Sequence, residues 1–349
     1  MTTTSEFRED PVSGDWVILA PGRAGRPEDL IKTQKPRRPS PRRTCPFEDL
    51  RKSGNWPPVA AFPSVENWKI AVIPNKYPAL THGAGCAVSF TRGMYHAKTG
   101  VGDHEIVVTR DHLKNFADLG ARDAAELFQV FRARHRALAT DPCNAYVSTF
   151  FNWGPGAGAS MWHPHYQILA LPIVPPHVAR SLRGAREYFR RHHRCVRCDI
   201  IAAERRGKER VVAENSGAIA FAPFAAKHAF EVSIFPKRHE PSLAGTPDGA
   251  LADVAHLLQE VMRRMKRTLG DPDLNMFIHD APLGRSYPYH HWHLELLPVE
   301  VVSPPGGFEA ATVANINVVT PEAAATVLRG RRVRRPERPH RPGRPRNSR

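Results

Sequence analysis

Short apolar blocks recur along the chain, and they fall in one order twice. Residues 68–74 (WKIAVIP), 104–112 (HEIVVTRDH), 144–151 (NAYVSTFF) and 163–172 (HPHYQILALP) are rich in β-branched and aromatic side chains. Each is bounded by Gly, Pro or Asn, which predicts four strands. Residues 218–221, 229–239 (AFEVSIFPKRH), 274–279 (LNMFIH) and 291–298 (HWHLELLP) predict four more in the same order. Between the second and third strand of each set the apolar spacing becomes helical. Ala125, Leu127, Phe128, Phe131 and Leu138 mark a helix over Ala121–Leu138, and Val254, Leu257, Leu258, Val261, Met265 and Leu269 mark one over 251–269.

The interval from His112 to His163 is 51 positions and that from His239 to His291 is 52, so a duplicated unit is expected. Antiparallel strands with helices on one face make an α+β fold, here of two pseudo-repeated units. The first would span residues 1–176, the second 177–328, and residues 329–349 would form a disordered Arg/Pro-rich tail.

Composition narrows the class. The 349 residues are 41% hydrophobic and 24% charged, which suits a packed core. No stretch reaches the roughly 20 apolar residues that cross a bilayer, and residues 1–10 lack the apolar region of a secretory signal, so no membrane role and a cytoplasmic location are expected. The formal charge of +16 invites a nucleic-acid reading, but residues 329–349 hold ten Arg against one Glu. Without that +9 the rest carries +7, and most of the basicity belongs to the tail. A second Pro/Arg stretch, residues 35–43, reads as a surface loop or spacer. Five cysteines argue against a disulfide framework. Cys195 and Cys198 form the one C-x-x-C, while Cys86 and Cys143 have no partner in the sequence and are expected to be buried or merely tolerated.

The chemistry gathers at His163-Pro164-His165-Tyr166-Gln167. Side chains alternate along a strand, so His163, His165 and Gln167 share one face. The preceding run from Gly154 to Ser160 is small enough for a ligand to approach, and its amides suit an anion nest. A neutral imidazole attacks phosphorus to give a phosphoramidate, dividing a transfer into two displacements. Gln167 offers an uncharged donor to phosphoryl oxygens, where a carboxylate would repel them. In the second half Glu295 stands at that position and no Gly-rich loop precedes it, so that half is expected to be catalytically silent.

The string from Asn152 to Gln167 (NWGPGAGASMWHPHYQ) resembles the active-site signature of galactose-1-phosphate uridylyltransferases, a branch of the histidine triad superfamily. The resemblance extends to Arg8-Glu9-Asp10-Pro11, Gly14-Asp15-Trp16-Val17, Arg23, Arg26-Pro27, residues 75–80 (NKYPAL) and residues 306–309 (GGFE), and covers nearly everything but the tail. It implies a double displacement with His165 as the nucleotidylated residue. Gln167, Ser160, Gly158 and Asn152 would surround the phosphates, with Arg23 and Arg26 near them and Asn75 against the nucleoside. Glu309 would fall in a segment contacting the hexose from the partner subunit of a homodimer.

Metal sites are implied as well. Cys195, Cys198, His239 and His291 would form one zinc site. Family members often carry Cys-Pro-x-Cys in the first half, with ligands equivalent to His112 and His163. Here the run is Cys45-Pro46-Phe47-Glu48, so the set becomes Cys45, Glu48, His112 and His163, a weaker mixed site.

The expected reaction is uridylyl transfer from a UDP-hexose to a sugar-1-phosphate such as galactose-1-phosphate. The alternative keeps the covalent histidine but changes base or acceptor, as in an ADP-sugar or dinucleoside-polyphosphate phosphorylase. The segment after Glu309 departs from the galactose-using pattern. A zinc-containing nucleic-acid-binding protein is a third reading, disfavoured by the intact nucleophile, Gln167 and Gly-rich loop.

Overall fold

A computed structural model describes residues 4–23, 39–83, 85–299, 307–312 and 314–331. Arg26 and the tail beyond residue 331 lie outside the described residues.

The described strands are β1 (Glu6–Glu9), β2 (Trp16–Leu19), β3 (Ala60–Phe62), β4 (Ile70–Pro74), β5 (Ser89–Arg92), β6 (Tyr95–Lys98), β7 (Asp103–Thr109), β8 (Tyr146–Trp153), β9 (His165–Leu171), β10 (Val211–Glu214), β11 (Ala218–Phe221), β12 (Val232–Pro236), β13 (Leu274–His279), β14 (His293–Pro298) and β15 (Asn315–Asn317). The helices are α1 (Ala121–Leu138), α2 (Pro176–His192), α3 (Val196–Gly207), α4 (Asp248–Leu269), α5 (Gly307–Thr312) and α6 (Pro321–Leu328).

Among the described residues, ten strands form one sheet in the order β10-β11-β12-β14-β13-β8-β9-β7-β4-β3. Its pairings are antiparallel throughout, as the α+β reading requires. Counted inward from either edge the strands follow the same sequential order, and the two halves meet where β8 pairs with β13. The chain ends cross the expected boundary at residue 176. β15 pairs parallel to β2, and Arg8 makes a two-pronged bond to Glu322 of α6 at 2.9 and 3.2 Å.

Alternation along the strands divides the core in two. Ile70, Val72, Val107, Tyr166, Ile168, Val232 and Ile234 point to the face covered by α1 and α4. Ala71, Ile73, Ile106 and Val108 point the other way, onto Cys45, Phe47 and Leu50. Both faces of these strands are buried, which explains why residues 70–73 are apolar without interruption. The polar edge of β9, His165 and Gln167, therefore lies on the face away from the two long helices.

Helix α1 has the expected limits, but its buried stripe includes Ala124, Val130 and His135 rather than Ala125. His135 can face the core because Nδ1 lies 2.9 Å from Asp280 Oδ2 and Nε2 lies 2.8 Å from Thr149 Oγ1. Helix α4 begins three residues before the expected start and buries every apolar position named above for it. Helices α2 and α3 were not foreseen. Their run of Arg and His hides a narrow apolar stripe of Val178, Leu182, Ala185, Val196 and Ile201.

Cys86 and Cys143 correct the expectation drawn from spacing, since they form a disulfide with Cα atoms 4.9 Å apart. The chain after β4 turns back onto the loop that follows α1, a meeting across 57 positions that no local pattern announces. No helix among the described residues is long and apolar enough to cross a membrane.

Candidate active site

Strand β9 is held on both sides, with Val108 of β7 opposite His165 and Phe150 of β8 opposite Gln167. Tyr166 is buried toward the helices among Phe116, Phe131 and Phe151. His163 and His165 both project the other way, where the Phe47 ring contacts each of them, with centroids 5.5 and 5.4 Å away. The shared face inferred from alternation is present.

His165 Nδ1 donates to the carbonyl oxygen of His163 at 2.9 Å. That bond places the proton on Nδ1, so Nε2 carries the lone pair, and His165 lines a cavity of about 650 Å³. Burial holds the His165 pKa below its usual value, with the His163 carbonyl opposing the shift. A buried neutral imidazole with one fixed nitrogen is a directed nucleophile.

Gln167, Asn75 and Ser160 line the same cavity. Gln167 Oε1 lies 2.9 Å from His104 Nε2, and Asn75 lies against that ring with Nδ2 3.0 Å from the same nitrogen. His104 was not singled out from the sequence, because it sits at a strand start with no motif around it. Arg42, Arg43, Lys52 and Lys76 add cations to the cavity wall. The first two belong to the Pro/Arg stretch expected to be a surface loop or spacer. Arg23, an exposed residue in the turn Pro21–Arg23, does not line this cavity, and neither does Glu309 in α5.

The Gly-rich loop works differently from the expected anion nest. The Gly156 amide donates to Asp273 Oδ2, and those of Ala157, Gly158 and Ala159 donate to carbonyls of the loop itself. A Cβ on Gly154 would come within 1.9 Å of Asp273 Oδ1, and Gly154 has φ of +84°. These glycines admit a carboxylate from the second half, so the amides are engaged within the protein. Asn152 joins the same contact, its Oδ1 accepting from Asn275 Nδ2 at 2.8 Å. Neither Asp273 nor Asn275 was foreseen, since they act from 117 and 123 positions away in sequence.

The candidate metal ligands converge. In each of the two sets, Cys45, Glu48, His112, His163 and Cys195, Cys198, His239, His291, the ligand atoms lie within 4.8 Å of one another. In the first set His112 Nε2 donates to Ser40 O at 2.9 Å and His163 Nε2 to Thr109 O at 2.7 Å. Both Nδ1 atoms then present lone pairs to the centre of the set. His112 Nδ1 lies 2.8 Å from Glu48 Oε1, and neither buried atom has a hydrogen-bond donor. A shared proton or a cation beside them satisfies two acceptors at that distance, and the N, O and S donor set suits zinc. In the second set Cys198 Sγ lies 3.3 Å from His239 Nδ1 and 3.5 Å from His291 Nδ1.

The second half repeats one feature, His293 Nδ1 donating to the His291 carbonyl at 3.2 Å. Its Nε2, however, faces Glu295 at 3.7 Å, and Glu295 also meets His279 at 3.2 Å. Burial opposes the Glu295 charge, yet His279 and His293 hold its pKa well below the usual value. A carboxylate paired with two histidines thus stands at the position that Gln167 takes in the first half.

Comparison with known proteins places the chain among enzymes that act on sugar nucleotides. The model of a domain of unknown function, DUF4921, matches residues 94–337. The chain is 35% identical over 331 residues to an ADP-glucose phosphorylase of Arabidopsis thaliana, covering 93% of this chain and 92% of that protein. It is 27% identical to a galactose-1-phosphate uridylyltransferase of Thermotoga maritima, covering 94% and 99%. Among solved structures, the Arabidopsis thaliana ADP-glucose phosphorylase with bound ADP-glucose superposes with a TM-score of 0.77 at 32% identity, covering 95% of this chain and 100% of that one.

Proposed function

The chain belongs to the galactose-1-phosphate uridylyltransferase family, and from that premise we propose that His165 Nε2 carries a nucleoside monophosphate between a nucleoside-diphosphate hexose and a second phosphate acceptor. It is an enzyme of the nucleotidyl-transferring class. The observation that carries the reading is the His163–His165 hydrogen bond, which turns the unprotonated nitrogen into a cavity that also holds Gln167, Ser160 and four cationic side chains. In the first displacement Nε2 attacks the nucleoside-bearing phosphorus and the hexose-1-phosphate leaves. In the second, an acceptor phosphate attacks the same phosphorus and releases His165. Gln167 donates to the phosphoryl oxygens, and Asn75 meets the nucleoside.

The 35% identity to an ADP-glucose phosphorylase favours phosphorolysis of ADP-glucose, with inorganic phosphate as acceptor. Exchange between a UDP-hexose and a hexose-1-phosphate is the second reading, supported by the uridylyltransferase relatives. This reverses the order drawn from motifs alone, since base choice rests on a few pocket contacts. Product analysis with ADP-glucose or UDP-glucose as donor, and phosphate or galactose-1-phosphate as acceptor, separates the two. ADP release from ADP-glucose and phosphate is expected, whereas UDP-galactose as the sole product supports the second reading.

Both four-residue sets are assigned to structural zinc. Zinc at the first would lock His163, whose carbonyl orients the nucleophile, and would take no part in the displacement. Glu309 is assigned to a hexose contact made from the partner subunit of a homodimer, which is supported by its place outside the cavity lining of a single copy.

A further inference from the structure

We propose that His104 is a positioning residue for this transfer: its ring fixes the Gln167 side-chain amide so that both amide hydrogens face the phosphate site. The inference rests on the reading of His165 above. The backbone N–H of Ala79 donates to His104 Nδ1 at 3.1 Å. A backbone amide can only donate, so Nδ1 holds the lone pair and the neutral ring carries its hydrogen on Nε2. Nε2 lies 2.9 Å from Gln167 Oε1, and that hydrogen is donated there. With its oxygen engaged, Gln167 has only donors left for the cavity.

An unconstrained glutamine amide presents its oxygen or its nitrogen with similar ease, and an oxygen turned toward a phosphoryl group is repulsive. His104 removes that choice. The position of the residue is fixed by its backbone, because the Asn75 N–H donates to the His104 carbonyl at 2.8 Å, whereas Asn75 Nδ2, itself a donor 3.0 Å from Nε2, makes no bond to the protonated nitrogen. Asn75 Oδ1 in turn accepts from the Tyr77 amide at 2.9 Å. The chain from Asn75 to Ala79 thereby joins the wall assigned to the nucleoside to the donor assigned to the phosphate.

The test uses His104→Phe, which keeps a ring and loses the donor, and His104→Gln, which can restore a donor to Gln167 Oε1. Both are read by single-turnover nucleotidylation of His165 and by nucleotide-sugar Kd, in the wild-type and Gln167→Ala backgrounds. Loss of one preorganised donor costs about 10²–10³-fold in rate, so mispositioning it is expected to cost about 10-fold or more with little change in Kd. His104→Gln should recover most of that rate, and His104→Phe should add nothing once Gln167 is alanine. An equal fall in both backgrounds, or no fall in either, overturns the proposal. The ¹⁵N shifts of the His104 ring in the wild-type protein give a readout independent of activity and of variant folding. A hydrogen on Nε2 supports the proposal and a hydrogen on Nδ1 overturns it. Absence of a His165 adduct in the wild type, with the Nε2 hydrogen present, would sink the transfer reading while leaving the His104–Gln167 geometry standing.

Discussion

The carbonyl oxygen of His163 accepts the Nδ1 hydrogen of His165 at 2.9 Å, while the His163 ring presents Nδ1 to Cys45 and Glu48. One residue thus links the candidate metal set to the candidate nucleophile, through its side chain on one side and its backbone on the other. Loosening the first should disturb the second.

That link makes Glu48 a quantitative handle. Glu48→Cys supplies the second thiolate of the common family pattern, and it should hold zinc more tightly and release it more slowly to a chelator. Cys45→Ala should lose one zinc equivalent and slow His165 modification, although Cys45 touches no substrate atom in the proposed reaction. Metal analysis after dialysis against a chelator checks both.

The pH dependence follows from burial. Desolvation lowers the His165 pKa from 6.5, so the nucleophile stays neutral to a lower pH than a free imidazole does. The rate of adduct formation should therefore hold level from pH 8 down through about 6.5 and fall only below the ordinary imidazole value. A fall already beginning above pH 7 would contradict the assigned environment.

Glu231 should leave a signature in stability. Burial, with the Glu295 charge nearby, raises its pKa from 4.5 to about 8. The folded state thus resists ionisation that the unfolded chain accepts. Its contribution is fully present below the unfolded value and is lost as pH rises from 4.5 toward 8. Glu231→Gln can still accept the Lys227 and His228 amides, which now bond Oε2. Denaturant midpoints of this variant should decline less than those of the wild type between pH 5 and pH 8.

Gly154→Ala tests the revised role of the Gly-rich loop. Backbone with φ of +84° and ψ of 156°, a region nearly confined to glycine, costs a residue with Cβ on the order of 1–3 kcal/mol, and displacing the Asp273 carboxylate adds to that. Stability should fall by at least that amount. If the loop were instead an open anion nest, substrate affinity would fall while stability stayed nearly constant.

Much of this arrangement is legible in the sequence because it is local. The period-two pattern around His165, the Gln167/Glu295 contrast and the 18-residue helix Ala121–Leu138 are all written within short windows. What escaped depends on chain crossings. Asp273 and Asn275 reach the Gly-rich loop from the other half, and Cys86 finds Cys143 only because the chain after β4 folds back. His104 escaped for a different reason, since its role comes from a neighbouring strand in register with β9. Arg42 and Arg43 were hidden by composition, because a Pro/Arg run looks the same whether it faces solvent or a phosphate.

The central claim is settled most directly by incubating the protein separately with labelled ADP-glucose and UDP-glucose, then mapping the adduct by peptide mass analysis. An acid-labile, base-stable nucleoside monophosphate on His165, absent from His165→Asn, is the predicted result. An adduct on another residue, or full turnover by His165→Asn, would contradict the account.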